Sequence, residues 1–390
     1  MRLDGRFARL LVLIALLALP QYAIAANPLT VGDGTAASCT ETALRFAMAF
    51  AENKGGGTIK FKCGGNPVII TLTDPLTLPN RTTIDGGGVV TVTGFFASSS
   101  CRRSLIFVNH DSTVLLKGLT FDHVGNTCDF ALLNEGTLTV RDSTFEHNFL
   151  GVRNEGTLTV IQSTFSQNFS SGASGGIWNV GTLTVKASLF SNNGFAGGAG
   201  ILNEGTLAVK DSEFADNIGG DMLGGGGGGI LNFGTATVDD SLFSRNAGGY
   251  GGAIANAGTL TIKNTVFDSN GASPFGGAMT NYGSVTVHNC VFSNGYVGYA
   301  GGGFYNAGDA SVSKSVFQGN DAPGGFGGGI FNSGTLSVSN STITGNTAGV
   351  DAGGIYTCVA GYPPYGCTGA GSLDLTNSVV TGNTPNDIVP

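Results

Sequence analysis

The chain predicts an all-β fold: a right-handed, single-stranded parallel β-helix, a solenoid of three short strands per coil and about 11 coils, with an N-terminal amphipathic helix as cap. Three observations predict it. A short motif returns at a spacing of about 25 residues, and each repeat holds brief runs in which apolar and polar residues alternate. In addition, 66 of the 390 residues are glycine, about 17% where 7% is usual. Collagen is excluded because only 11 residues are proline. Disorder is excluded by a hydrophobic fraction of 41% that includes 25 phenylalanines.

Residues 1–25 read as a secretory signal peptide. Arg2, Arg6 and Arg9 form a basic start, residues 10–19 an apolar run too short to span a bilayer, and Ala23-Ile24-Ala25 a cleavage site. Cleavage would leave 365 of the 390 residues, with 15 basic and 25 acidic side chains and a net charge of −10. That balance offers no electrostatic footprint for a nucleic acid. No later segment is apolar enough to span a membrane, so an exported monomer that is not an integral membrane protein is expected: secreted, periplasmic or on the cell surface.

Residues 26–64 are expected to form the cap. Ser38, with Glu41 three residues later, reads as a capping box opening a helix over residues 43–53. Residues 65–390 are expected to form the β-helix, whose last coil carries an insertion around Cys358 and Cys367. The 7 cysteines fit an oxidising compartment, and the odd count leaves at least one unpaired. Cys39 with Cys63, Cys101 with Cys128 and Cys358 with Cys367 are the pairs suggested by proximity, although connectivity cannot be deduced from sequence.

The repeat is carried by N-x-G-T-L-T-V, whose leading residues are Asn134, Asn154, Asn179, Asn203, Asn232, Asn256, Asn281, Asn306 and Asn332. An aromatic landmark keeps step with it: Phe121, Phe145, Phe165, Phe190, Phe214, Phe243, Phe267, Phe292 and Phe317, continued by Ile343 and Val380. Three strands in about 25 residues leave no room for helices, and so small a unit must stack to bury its apolar face. Stacked asparagines can bond amide to amide and tolerate a left-handed turn, and the glycine two residues later relieves the Cβ penalty there. Cys290 falls in the inward series Ser143, Ser163, Ser188, Ser212, Ser241, Thr265, so a buried, inert thiol is expected.

These repeats resemble those of secreted right-handed β-helix proteins of the pectin-lyase-like superfamily. They also resemble the repeats of polymorphic outer-membrane proteins, in G-G-A-I at residues 251–254 and in the F-x-x-N that begins at Phe145, Phe165, Phe190, Phe214, Phe243, Phe267 and Phe317. The start of the cap is similar to that of bacterial β-helix proteins with a C-S-L-R-E-A-like motif, matched loosely by Ala43-Leu44-Arg45-Phe46-Ala47. The resemblance implies a polysaccharide-binding, adhesin-like or polysaccharide-cleaving protein, but the autotransporter barrel of the outer-membrane group is missing.

Enzymes of that superfamily place catalytic groups outward from the S-x-F strand. Here the outward residues are Thr144, Thr164, Leu189, Glu213, Leu242, Val266, Val291, Val316, Thr342 and Val379, and one is ionisable. Neither the carboxylate cluster and base of a lyase nor the paired acids of a hydrolase are present. Asp239-Asp240 resembles the paired aspartates of polygalacturonases without their companion motifs.

One catalytic candidate remains, formed by Asp122-His123 and Glu146-His147, which follow successive landmark phenylalanines and should stack. Two imidazoles and two carboxylates could hold a divalent metal or share a proton. A solvated polar column is the plainer alternative, and no cofactor and no metal are expected. A loop shorter than in other coils follows Asn148 and could leave this patch open, with Arg141 and Arg153 nearby. A binding candidate is the outward stripe before the ladder asparagines, with Trp178, Tyr305, Phe331 and Tyr356 as sugar-facing rings unless loops cover them. Glycine-rich matches to a G-x-S-x-G elbow at residues 172–176 and to a phosphate loop at residues 224–229 lack their structural context. The expectation is a non-catalytic β-helix binding a polysaccharide or a surface protein; the alternative is a polysaccharide lyase or glycoside hydrolase acting on an acidic or neutral polysaccharide.

Overall fold

The computed structural model describes residues 29–94, 104–124, 130–170, 174–194, 198–220, 226–358 and 371–389. The signal peptide, the pairing of Cys101 with Cys128, and Cys367 lie outside them. The chain winds into a right-handed parallel β-helix. The L-T-V and S-x-F strands form one 25-stranded sheet that bends between them, and the ladder strands form a 13-stranded sheet. A further 5-stranded sheet, from residues 247–250 to residues 347–348, was not anticipated; it lies in the glycine-rich segment ahead of the ladder strands of later coils.

Coil lies over coil without slippage. Leu158 pairs with Leu183 and Val160 with Val185, and the same register recurs along the rod. Because side chains alternate, a slip of one residue would turn the whole apolar set to solvent, so burial itself enforces the pairing. The landmark phenylalanines from Phe121 to Phe317 are fully buried, with adjacent ring centroids 4.5 to 5.1 Å apart.

The expected asparagine ladder is present. Asn134 Nδ2 donates to Asn154 Oδ1 at 2.7 Å, and equivalent bonds continue to Asn332. A second ladder was missed. The asparagines of F-x-x-N are buried too, and Asn148, Asn168, Asn193, Asn217, Asn246 and Asn270 bond amide to amide. Gly295 interrupts this column, which resumes through Asn320, Asn346 and Asn383. Its signal was the motif itself: a polar residue held three positions after a buried ring.

Two local expectations need correction. The ladder asparagines are not left-handed. Most positive-φ positions outside glycine are instead the residue before an inward Ser, Thr or Cys, such as Asp211 and Asp240, or the second residue after a landmark Phe, such as His147 and Asn192. The glycine after each ladder asparagine serves close approach instead: a Cβ on Gly234 would meet the Gly205 carbonyl oxygen at 2.0 Å, and one on Gly258 the Gly234 oxygen at 2.1 Å. That carbonyl faces the next glycine because the coils stack in register, which leaves no volume for a side chain.

The helix spans Glu41–Lys54, wider than expected. Its N-cap is Thr40, not Ser38: the Thr40 side chain accepts from the Ala43 N–H, and Gly55 ends the helix in the left-handed region. Ser38 accepts from the Asp33 N–H instead, while Glu41 binds Arg45 and the Thr73 N–H. Leu44, Ala47, Met48 and Ala51 are buried over the first coil, and Cys39 is bonded to Cys63. Cys358 is also disulfide-bonded, and no described helix is long and apolar enough to cross a membrane.

Asn203→Ala should be severely destabilising. It removes the acceptor of Asn179 and the donor to Gly205, Asn232 and Thr235, leaving buried polar groups unpaired. A loss of roughly 3 kcal/mol or more is expected in urea unfolding; less than about 1 kcal/mol would deny the ladder its structural role. Cys290 is a free, buried thiol, and burial pushes it from its ordinary 9.0 up to about 11. The native state therefore disfavours the thiolate. The stability difference between wild type and Cys290→Ser should be level below about pH 9, then shift against the wild type by about 2–3 kcal/mol as pH rises to about 11.

Candidate functional site

Asp122 and Glu146 directly follow the landmark Phe121 and Phe145 and pair in register, and His123 and His147 come next with left-handed backbone. The left-handed backbone swings both imidazoles out of the sheet, one over the other, with centroids 4.8 Å apart and planes inclined by 22°. The two carboxylates do not act together. Asp122 turns toward the rings, and its Oδ1 lies 2.6 Å from His123 Nδ1 and 3.0 Å from His147 Nδ1. His147 Nε2 lies 3.1 Å from Gln167 Oε1, a partner from the next coil that sequence reasoning missed. Among the described residues, the group whose ligand atoms converge, all within 4.8 Å, is Asp122, His123 and His147; Glu146 stands outside it. These three could hold a metal ion.

Arg153 does not face this patch. It lies in a ladder strand, where its Nε donates to Glu155 at 2.6 Å and its guanidinium sits 4.0 Å above the Trp178 ring. Trp178 Nε1 in turn donates to Glu204 at 3.2 Å.

The stripe containing Trp178 points away from the core but is covered for most of its length. Leu202, Leu231 and Ala255 are buried in a small cluster with Trp178 packed on its edge. Tyr305 and Phe331 are 7% and 6% exposed, so their faces are not free for a sugar ring. Phe275, Tyr299 and Phe326, from the glycine-rich segments ahead of the ladder strands, fold back on them: Phe275 stacks on Tyr305 at 4.6 Å and Phe326 meets Tyr356 at 4.7 Å. The reversal turns on glycines: Gly276, Gly301 and Gly327 have φ of 65°, 72° and 62°. Trp178 and Tyr356 remain half-buried, and burial raises the Tyr305 and Tyr356 phenols above their ordinary range.

A groove of about 850 Å³ runs where the main sheet bends between L-T-V and S-x-F strands. Gln162, Ala187, Asp211, Asp240 and Asn264, all left-handed, form one rim; Thr164, Leu189, Glu213, Leu242 and Val266 supply the floor. The floor was visible in the sequence as the outward strip. The rim was not, because its residues were assigned to no special backbone; their signal was a small or polar residue fixed one place before each inward Ser. No histidine, arginine or tyrosine lines the groove. Lys210 beside it is held by Asp240 at 3.3 Å and Asp239 at 3.7 Å. Its hydrogen bond to Asp240, aided by the charges of Asp240, Asp211 and Asp239, raises its pKa.

The family profile described as "Right handed beta helix region" matches residues 197–386, just under half of the chain. No curated protein matches by sequence. Among solved structures, the Azotobacter vinelandii mannuronan C-5 epimerase AlgE4 A-module is similar at 13% identity and a TM-score of 0.45, covering 92% of this chain and 95% of that one. The AlgE6 A-module from the same organism is similar at 13% identity and a TM-score of 0.46, with 92% and 97% covered. A mannuronic acid specific polysaccharide family 6 lyase from human gut microbiota is similar at 10% identity and a TM-score of 0.32, with 84% and 77% covered.

Trp178 is the chain's one tryptophan, so its fluorescence reports this patch alone. Arg153→Ala should uncover the indole face and increase acrylamide quenching, at a stability cost of about 0.5–1 kcal/mol. Unchanged quenching would show that the guanidinium does not rest on the ring in solution.

Proposed function

We propose that the chain is an exported, adhesin-like β-helix protein that binds a neutral glycan along the groove between Gln162 and Val266, without cleaving it. The groove carries this reading. It crosses five coils, on the order of 20 Å, and so suits an extended chain better than a compact ligand. Leu189, Leu242 and Val266 offer apolar surface to the C–H faces of sugar rings, while Gln162, Asp211, Asp240 and Asn264 offer hydrogen-bonding groups for hydroxyls.

Charge narrows the ligand. Asp211, Glu213 and Asp240 line the groove and no cationic side chain does, so a polyuronate would meet net negative charge along the lining. The absence of histidine, arginine and tyrosine from the lining argues against lyase chemistry there, since nothing is suited to take a proton from a sugar carbon near neutral pH; the carboxylates of Asp211, Glu213 and Asp240 are read as hydrogen-bonding groups for hydroxyls. The resemblance of the repeats to polymorphic outer-membrane proteins and the basic–apolar–small pattern of residues 1–25 support export and surface display. A second reading, a polysaccharide lyase or glycoside hydrolase, is favoured by one observation: the contact between Asp122 and His147, which could orient an imidazole base.

A panel of neutral and uronate-containing polysaccharides, scored by calorimetry and for unsaturated products and reducing ends, separates these readings. A neutral glycan should bind, uronates should not, and no product should appear. Asp211→Ala combined with Asp240→Ala should weaken binding by at least about tenfold, as loss of hydrogen bonds to charged groups implies. Product formation that disappears in His147→Asn would establish the enzyme instead.

A further inference from the structure

We propose that Asp122, His123 and His147 form a binding site for a divalent first-row transition-metal ion such as Zn²⁺, coordinated through Asp122 Oδ1 and the two Nδ1 atoms. Three observations converge. The first is preorganisation. Side chains at consecutive left-handed positions stack along the coil axis, and the φ of 48° at His123 and 53° at His147 places both imidazoles in that column. The second is the shared carboxylate oxygen: Asp122 Oδ1 lies 2.6 Å from His123 Nδ1 and 3.0 Å from His147 Nδ1, and the ligand atoms of the three residues all lie within 4.8 Å of one another. That donor set suits zinc, copper or nickel and is poor for calcium or magnesium, which prefer oxygen alone.

The third observation is the second contact of His147. Its Nδ1 faces Asp122 Oδ1, while its Nε2 lies 3.1 Å from the Gln167 side-chain amide on the other side of the ring. Gln167 then orients the ligand from behind, the arrangement usual for metal-bound histidine. The His123 side chain is 70% exposed, so it can adjust to the metal's bond lengths, and solvent or an external ligand can take the remaining positions.

The test uses the full chain, stripped with chelator and titrated with zinc sulfate alone. The 4 histidines, His110, His123, His147 and His288, make the ring protons individually assignable by NMR. Expected is saturable 1:1 binding by calorimetry, with His123 and His147 shifting together while His110 and His288 stay fixed. His123→Asn and His147→Asn should each weaken binding by at least about a hundredfold, Gln167→Ala by about ten- to a hundredfold, and Glu146→Gln by nothing measurable. Asparagine is the replacement of choice because Asn192 and Asn294 already occupy the same left-handed column. Circular dichroism checks that each variant folds. Shifts spread over all four histidines, binding that survives His123→Asn in a folded variant, or calcium binding tighter than zinc would overturn the site.

Discussion

Everything in this molecule depends on each coil lying in register on the one before it, and buried side-chain amides enforce that register. Backbone pairing alone would tolerate sliding, since parallel strands bond equally well at several offsets. An asparagine amide cannot slide: Asn179 must find Asn203 or leave a donor unpaired in the core. Two such columns, with the Phe stack and the inward Ser–Thr series between them, leave each coil one position. The price of that fixity is glycine wherever a carbonyl of one coil faces the backbone of the next, as at Gly234 and Gly258.

Register also explains the surface. A side chain on any coil has its counterpart about 4.8 Å away on the next, so chemistry on this fold comes in columns. The left-handed column after the Phe stack holds His123, His147, Gln167, Asn192, Asp216 and Arg245, and neighbours meet in pairs: His147 with Gln167, and Asp216 with Arg245 at 2.8 Å. A column of like charges would repel itself, which accounts for a charged fraction of only 11%. The groove is a column as well, formed where one sheet bends at successive left-handed turns.

Much of this was legible in the sequence. Asn134 to Asn332 and Phe121 to Phe317 announce the coil, because a buried position must repeat its residue to repeat its contact. The second ladder hid in a motif taken only as a likeness, although F-x-x-N states that a polar group follows a buried ring at a fixed distance. Backbone handedness was misplaced, since asparagine is equally at home in a left-handed turn and in an amide ladder, and nothing in a single sequence separates the two. The aromatic stripe was located but its covering was not. Phe275 and Phe326 reach Tyr305 and Tyr356 only because glycines upstream reverse the chain, a three-dimensional event with a one-dimensional signature of two common letters. For the candidate sites, the sequence named Asp122 and His147 but not that one carboxylate would serve both rings or that Gln167 would sit behind them.

The ladders have a direction as well as a register. In each step Nδ2 of one coil donates to Oδ1 of the next, so the amide oxygens all point back toward the N-terminal end. At the head of the first column Asn134 Oδ1 has no hydrogen-bond partner among the described residues, and at its far end Asn332 Nδ2 donates to the Ser372 carbonyl. Aligned amide dipoles add, as they do along an α-helix, and the rod acquires an electrical polarity from side chains alone. Its negative poles lie at Asn134 and at Asn148, and Asn148 is the residue that follows His147. The imidazole pair thus stands beside the pole that favours a cation.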